Sequence, residues 1–300
     1  MRSDAPSEKF VIREIDRSEQ SLLQVFDVCR DSFESVNIAK LTTNWLSSHP
    51  ESTFIGAYFG SELAAVNGFL AHPVLIDGVR GMAFQSCWSA TRSSFRGKGL
   101  FTKIINTAKS LLSGRGQFIF GFPNEVSGPI FTGKLGFRMT PMRRVVMGAR
   151  GGAALLGHQI SASRLYESLS EPLLVRFDQH ACAAWKVAEH GERLVQVEHN
   201  TNFLWGIRSQ RRILGSDVST LLVGGCEINK PKLMGRLIQQ AYRASGALLL
   251  RFVCAEGSAI ANAGRFVVSG SRTEPFIHFP LSNELGGIRF DAHVGLKDVF

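Results

Sequence analysis

Apolar positions along the chain fall into two repeats, one of two residues and one of three to four, and the switches between them lay out a mixed α/β order. Phe10 to Ile15 alternates apolar and polar residues as a half-buried strand does, and Glu19 to Phe33 carries apolar residues at helical spacing. A second helix is predicted over Ile38 to Leu46. Thr53 to Phe59 and Leu63 to Ala71 read as paired strands, because Phe59-Gly60-Ser61-Glu62 supplies turn chemistry between them. Asp77-Gly78 marks another hairpin turn, ahead of a long apolar strand at Met82 to Thr91. Leu100, Ile104, Ile105, Ala108, Leu111 and Leu112 predict an amphipathic helix, which Gly114-Arg115-Gly116 stops. Gln117 to Phe120 begins a short buried strand, and Gly121 to Ser127 a loop leading to a short helix that ends near Lys134-Leu135-Gly136. Phe137 to Met147 supplies the last strand material of this half.

Gly148 to Gly157 is rich in glycine and alanine, and the residues through Pro172 look irregular or only partly helical, so the domain junction is placed there. The expected division is residues 1–150, a linker at 151–170 and a second domain at 171–300. The second half repeats the order more faintly, with a strand at Leu221 to Ile228, a helix at Pro231 to Ser245 and a strand at Ala247 to Cys254. Its turn, Glu227-Ile228-Asn229-Lys230-Pro231-Lys232, has no glycine to open it, and Pro231 lacks a donor. It is either a diverged internal copy that lost ligand binding or simply another mixed sheet.

Three hundred residues with 44% hydrophobic content bury a substantial core. A formal charge of +9 suits a phosphate-bearing ligand, an anionic glycan, nucleic acid or an acidic membrane surface. Arginine is spread along the whole sequence, with no basic and aromatic ladder for single-stranded nucleic acid, which argues against that partner. The five cysteines, Cys29, Cys87, Cys182, Cys226 and Cys254, are widely separated, lack metal-ligand spacing and read as buried reduced thiols; no metal is expected. Residues 1–9 are polar and lack the apolar core of a secretion signal, and no apolar run reaches bilayer-spanning length. A soluble protein of the reducing cytoplasm is the expectation.

The stretch Ser94-Phe95-Arg96-Gly97-Lys98-Gly99-Leu100 joins the long strand to the amphipathic helix. Glycine lets the backbone approach an anion closely, and the unpaired amides and dipole of a first helical turn favour negative charge. Arg96 and Lys98 add positive charge at the same end. A dinucleotide fingerprint would carry a third glycine where this chain has Thr102, and no G-x-x-x-x-G-K-[ST] loop occurs.

On these residues the first half, about 10–147, resembles the GNAT acyltransferase superfamily, which uses acetyl-CoA or another acyl-CoA as donor. The family's donor loop has the form Q/R-x-x-G-x-G/A; Ser94 to Gly99 keeps both glycines in register and departs at the first position. Asn124 followed by Lys134-Leu135-Gly136-Phe137 is similar to the later segment in which an Asn precedes a helix ending in K-x-G-F. The resemblance implies an α/β fold with a mixed sheet: a GNAT-like domain, then a second GNAT-like or related α/β domain. It also implies that the amides of Arg96, Gly97, Lys98, Gly99, Leu100, Phe101 and Thr102 hold the donor's pyrophosphate. Ser89, Ala90 and Thr91 would bind the pantetheine arm and polarise the thioester carbonyl, and Asn124 and Phe131 would lie along that arm from the other side. The tyrosine with which the family often protonates the departing thiolate falls at Thr132, so proton delivery would need water, another side chain or direct loss of the thiolate.

Gln85 sits where some members carry a carboxylate, and an amide cannot take a proton. Glu125 and His72 are the ionisable candidates for a base, set against plainer readings: a solvated first-turn residue for Glu125, a satisfied loop or core residue for His72. The implied activity is N-acyl transfer, most simply of acetyl, to an amine on an amino sugar or other glycan, a peptide or a small metabolite. The alternative is a non-catalytic acyl-CoA-binding or scaffolding protein. Phe203 to Arg208 and Phe276 to Pro280 read as core packing or, more sharply, as the floor of an acceptor cleft. Asp291 and His293 share a strand face.

Overall fold

The computed structural model describes residues 9–33, 49–148, 162–170, 173–213, 215–263, 275–282, 285 and 287–296. The helix expected at Ile38 to Leu46 and the stretch at 149–161 lie outside them. The first sheet opens with four antiparallel strands, β1 (Val11–Ile15), β2 (Thr53–Phe59), β3 (Glu62–Ile76) and β4 (Val79–Thr91). Helix α1 (Glu19–Ser32) begins where the Ser18 hydroxyl accepts the Ser21 amide at 3.2 Å and buries Leu22, Val25, Phe26 and Cys29 against one face. Helix α2 (Leu100–Leu112) buries Leu100, Ile104, Ile105, Ala108 and Leu112 against the other. Next come β5 (Phe118–Gly121), parallel to β4, then α3 (Gly128–Gly133), β6 (Arg138–Thr140) and β7 (Met142–Gly148).

Strands β3 and β4 run past the expected ends, pairing down to Ile76 and Val79 at the hairpin tip. Pro73, which reads as a strand stop, falls where pairing to β2 has ended at Phe69 and pairing to β8 (Leu174–Phe177) begins at Val74. Its missing amide is lost at a position where no ladder needs it.

The remaining elements are α4 (Ala162–Ser170), α5 (Gln179–His190), β9 (Leu194–His199), β10 (Asn202–Ile213), β11 (Ser216–Glu227), α6 (Met234–Ser245), β12 (Leu249–Ala255), α7 (Ala259–Ala263), β13 (Phe276–Pro280) and β14 (Arg289–Asp291). Among the described residues the first sheet has the order β1-β2-β3-β4-β5-β13-β6, with β8 and β14 attached through β3, and the second the order β7-β12-β11-β10-β9. The halves therefore exchange strands. β7, expected to finish the first half, pairs antiparallel with β12 from Gly148↔Leu249 to Met142↔Ala255. In return β13 lies between β5 and β6, where Phe276 stacks on Phe120 at 5.7 Å and packs against Phe290 at 4.8 Å. Strands from both sides of residues 151–170 thus share the first sheet.

The second half repeats the first in its connections. β10 and β11 are antiparallel as β3 and β4 are, α6 stands where α2 does, and β12 is parallel to β11 as β5 is to β4. Both long hairpins carry a bulge, at Val66/Gly68 in the first and Trp205/Gly206 in the second. Beyond the second bulge the described residues fill the space. The turn Val294–Leu296 packs there, with Gly295 so close to the Gly224 backbone and the Trp205 ring that a Cβ would overlap both. Asn202 Oδ1 takes the amides of Asn229 at 2.9 Å and Lys230 at 2.7 Å, so the turn before α6 spends those donors internally.

Phe203, Trp205, Phe276 and Ile277 are all core residues. Asp291 and His293 are buried 3.5 Å apart, with His293 against the Cys226 thiol. All five cysteines are buried and unbridged. Gly295→Ala should lower the unfolding free energy by roughly 2–3 kcal/mol, because the overlap is with backbone and an indole ring rather than a mobile side-chain end. Urea denaturation against Gly235→Ala, where a Cβ meets nothing within 4 Å, checks it.

Candidate functional site

Strand β4 has two lives. Ala83, Phe84 and Gln85 pair in parallel with Phe118, Ile119 and Phe120, and beyond Gln85 only β3 stays bonded, as far as Ala65↔Thr91. On the other side β5 reaches Gly121, where an added Cβ would meet the Ser86 carbonyl at 3.4 Å, and leaves through Phe122-Pro123, whose proline has no amide to offer. The carboxyl-terminal ends of two parallel strands therefore part, as in a cleft for a ligand. Both sequence motifs leave from this end: β4 passes through the turn Ser93–Phe95 into the glycine loop, and β5 into the Asn124 loop.

In the glycine loop the conformation requires glycine. Gly97 has φ 77° and Gly99 φ 69°, with nothing within 4 Å of where a Cβ would stand. The first backbone bond of α2 runs from the Lys103 amide to the Gly99 carbonyl at 3.2 Å. The amides of Leu100, Phe101 and Thr102 ahead of it have no backbone acceptor among the described residues, and free amides with the helix dipole at such a mouth favour negative charge. The loop is anchored from below: Asp31 Oδ2 accepts the Ser93 amide at 2.7 Å, and Arg96 Nε donates to the Thr91 carbonyl at 3.2 Å. Lys98 folds back, its Nζ 5.2 Å from the Phe95 ring and 5.7 Å from that of Phe10, keeping its charge beside the mouth. The Leu100 side chain is core, so only its backbone is offered.

Asn124 shapes the facing loop. Its Oδ1 accepts the Ser127 amide at 2.8 Å and the Val126 amide at 3.1 Å, and its own carbonyl accepts the Gly128 amide at 2.9 Å. Its Nδ2 has no bond among the described residues. Glu125 is exposed on the same turn. Phe131 is buried in edge contact with Phe101 at 5.3 Å and Phe137 at 4.7 Å, which makes it a packing residue beneath the loop. The Thr132 hydroxyl donates to the Gly128 carbonyl at 3.1 Å, within its own helix.

His72 sits below the parting of the strands, not in it. It is buried, its Nε2 is 3.0 Å from Gln85 Oε1, and the rings of Phe120 and Trp185 stand 5.4 and 5.9 Å away. Burial, opposed by the Gln85 bond and aided by the charge of Lys186, pushes its pKa down to about 4. An imidazole so weakly basic is a poor acceptor for a proton from an ammonium ion, and the geometry gives it the plainer role of a satisfied core residue.

Sequence reasoning missed Asn67. It is the single β3 residue facing Trp88 and Ser89 at the β4 bulge. Fully buried, it donates from Nδ2 to the Gly68 carbonyl at 2.8 Å and to Ser86 Oγ at 3.1 Å, and its Oδ1 accepts the Ser89 hydroxyl. Trp88, with φ 47°, holds the left-handed conformation the bulge needs and stacks on Phe54 at 5.6 Å. The signal was a lone asparagine in the apolar run Leu63-Ala64-Ala65-Val66-Asn67-Gly68-Phe69. Among the described residues no helix is long and apolar enough to cross a membrane, and no group of three or more His, Cys, Asp or Glu could hold a metal ion.

Solved structures share this architecture over most of the chain. A GCN5-related N-acetyltransferase from Kribbella flavida superposes with a TM-score of 0.61, covering 90% of this chain and 71% of that one at 14% identity. Eis1 from Mycobacterium abscessus gives 0.58 over 90% and 73% at 12% identity, and a putative acetyltransferase from Pyrococcus horikoshii 0.53 over 98% and 96% at 9%. At these identities the likeness is one of fold: the chain has the mixed α/β architecture of the GCN5-related N-acetyltransferases, and it extends through both halves. No protein-family model matches the sequence, and no curated protein sequence matches it.

The buried imidazole has a measurable consequence. Native His72 stays neutral down to about pH 4, whereas in the unfolded chain it takes a proton near 6.5. Its contribution to stability is therefore complete above pH 6.5 and is lost as the pH falls toward 4, by up to roughly 3 kcal/mol. His278, also pushed down to about 4 by burial and by Arg138, acts in the same window. Urea unfolding followed from pH 7 to 4.5 should show this slope, and His72→Leu should remove a share of it; an unchanged slope would place the titration elsewhere.

Proposed function

We propose that this chain is an acyl-CoA-dependent N-acyltransferase, most simply an N-acetyltransferase, with the donor bound in residues 1–150 and with residues 171–300 completing the first sheet and flanking the acceptor. The observation that carries the reading is the helix mouth of unpartnered amides at Leu100–Thr102, opened by two glycines in left-handed conformation beside parallel strands that part. The N-acetyltransferase names of the fold relatives support the same reading. A cytoplasmic location goes with it, since five buried, unbridged thiols suit a reducing compartment.

The chemistry follows from what each group offers. The amides of Gly97 to Thr102 hold the donor's pyrophosphate against the dipole of α2, with Lys98 and Arg96 adding charge; the Arg96 amide, expected among them, is taken by the Ser93 carbonyl at 3.3 Å. The β5-facing edge of β4 beyond Gln85, unpaired among the described residues, accepts the amide-bearing pantetheine arm as a further strand, and Asn124 Nδ2 supplies a donor from the opposite loop. The bulge at Trp88-Ser89, held by Asn67, directs backbone donors at the thioester carbonyl and favours the charge that develops there when an amine attacks. The amine's nitrogen forms the new bond to the acyl carbon, the carbon–sulfur bond breaks, and the sulfur leaves as thiolate or thiol. With His72 neutral in the core and the Thr132 hydroxyl engaged at Gly128, the proton leaves the amine through water, with Glu125 the ionisable group on the adjacent loop.

Two observations favour a second reading, a protein that binds acyl-CoA without turnover: the absence of tyrosine at position 132 and the internal bond of Thr132. Thiol release from acetyl-CoA with a panel of amino sugars, peptides and small amines separates the two. Release dependent on an amine supports the enzyme, and tight binding with none supports the binding module. Replacing Gly97 and Gly99 together with valine should abolish CoA affinity while the fold persists, since a Cβ at either site meets only solvent and the cost is local backbone strain. Unchanged CoA affinity in that variant refutes donor binding at the loop.

A further inference from the structure

The second sheet carries a feature that its fold does not use. Helix α6 buries Met234, Leu237 and Ala241 against one face, together with Leu250, Phe252 and Cys254 of β12 and Val145 of β7. Strand alternation sends Arg251 of β12 and Arg144 of β7 to the opposite face, where Arg251 pairs in register with Val146, two residues from Arg144. Arg211 of β10, opposite Val218, points to this same face. Near the bulge this face is packed by Trp205, Leu222 and Val253, but toward the start of β12 it carries the half-exposed Leu249 and Arg251.

Three arginines thus share one face of the sheet, Arg144 and Arg251 on neighbouring strands and Arg211 two strands from Arg251. No described carboxylate forms an ion pair with any of them, in contrast to neighbouring Arg143, which pairs with Glu256 across the edge. Arg144 Nε and Arg251 Nη1 are shielded from solvent and have no hydrogen-bond partner among the described residues. Burial, together with the charges of Arg211 and Arg144, pushes the pKa of Arg251 down, the direction expected where like charges are held close. Unpaired donors and like charges held close both oppose folding, and an anion seated on this face would offset both. Planar guanidinium forks on one face of β7, β12 and β10 match tetrahedral oxyanions with several acceptor oxygens.

We propose that the face formed by Arg144, Arg211 and Arg251 binds a phosphate or pyrophosphate group of a small molecule. The site lies in the second sheet, on different elements from the glycine loop, and is independent of donor binding there.

Calorimetric titration with inorganic pyrophosphate in the full-length Gly97→Val/Gly99→Val variant keeps the glycine loop from contributing. Saturable binding is expected, with Arg251→Gln or Arg144→Gln raising Kd about tenfold or more, the loss of a charge-assisted bond. Arg236→Gln, an exposed change on α6 across the sheet, should leave it unchanged. Should Arg251→Gln fail to fold, Arg211→Gln at the exposed rim should still weaken binding several-fold. The proposal is overturned if pyrophosphate gives no saturable heat at millimolar concentration, if Arg236→Gln weakens it as much as Arg251→Gln, or if duplex DNA binds this face while pyrophosphate does not.

Discussion

Everything at the candidate site depends on how briefly β4 and β5 stay together. Three register pairs hold them, and then the Trp88-Ser89 bulge bends one strand while Phe122-Pro123 takes the other away. A bulge in the middle of a buried strand leaves backbone groups without a ladder partner, and such groups are costly unless something else binds them. Asn67 supplies part of the answer from β3, bracing Ser86 and Ser89. The rest of the strand edge on the β5 side has no ladder partner among the described residues, and β4 leads from it through the glycine loop to the helix mouth of α2.

The same plan, run twice, differs in the backbone groups it leaves without partners among the described residues. In the second half the hairpin, the bulge and the parallel strand recur, yet Asn202 consumes the turn amides, Gly224 makes room for the Trp205 ring, and Val294–Leu296 fills the opening. Two of these changes belong to the core itself, since Trp205 and Leu296 are buried there. A few side chains that complete or withhold backbone bonds decide which backbone groups the same topology leaves unpartnered.

Much of the first half was legible because its signals are local. Helical spacing at Leu100 to Leu112 and the glycine pair ahead of it depend on neighbours in sequence, and both motifs stand where the spacing placed them. Long-range pairing was not legible. Phe276 to Pro280 and Met142 to Gly148 are ordinary apolar strands, and nothing in an alternating pattern says which sheet will take it. Helix α5 escaped because its buried face is made of Cys182, Ala183 and Lys186, too small or too polar to register as an apolar stripe. His72 misled for a related reason, since a histidine beside a proline looks like a loop end until β8 extends the sheet past it.

The strand exchange also fixes an order of events during biosynthesis. The edges of β5 and β6 that β13 covers are completed only after residues 276–280 have been made, more than a hundred positions downstream. At ordinary elongation rates that is on the order of ten seconds in which a nascent sheet offers bare backbone to any passing strand.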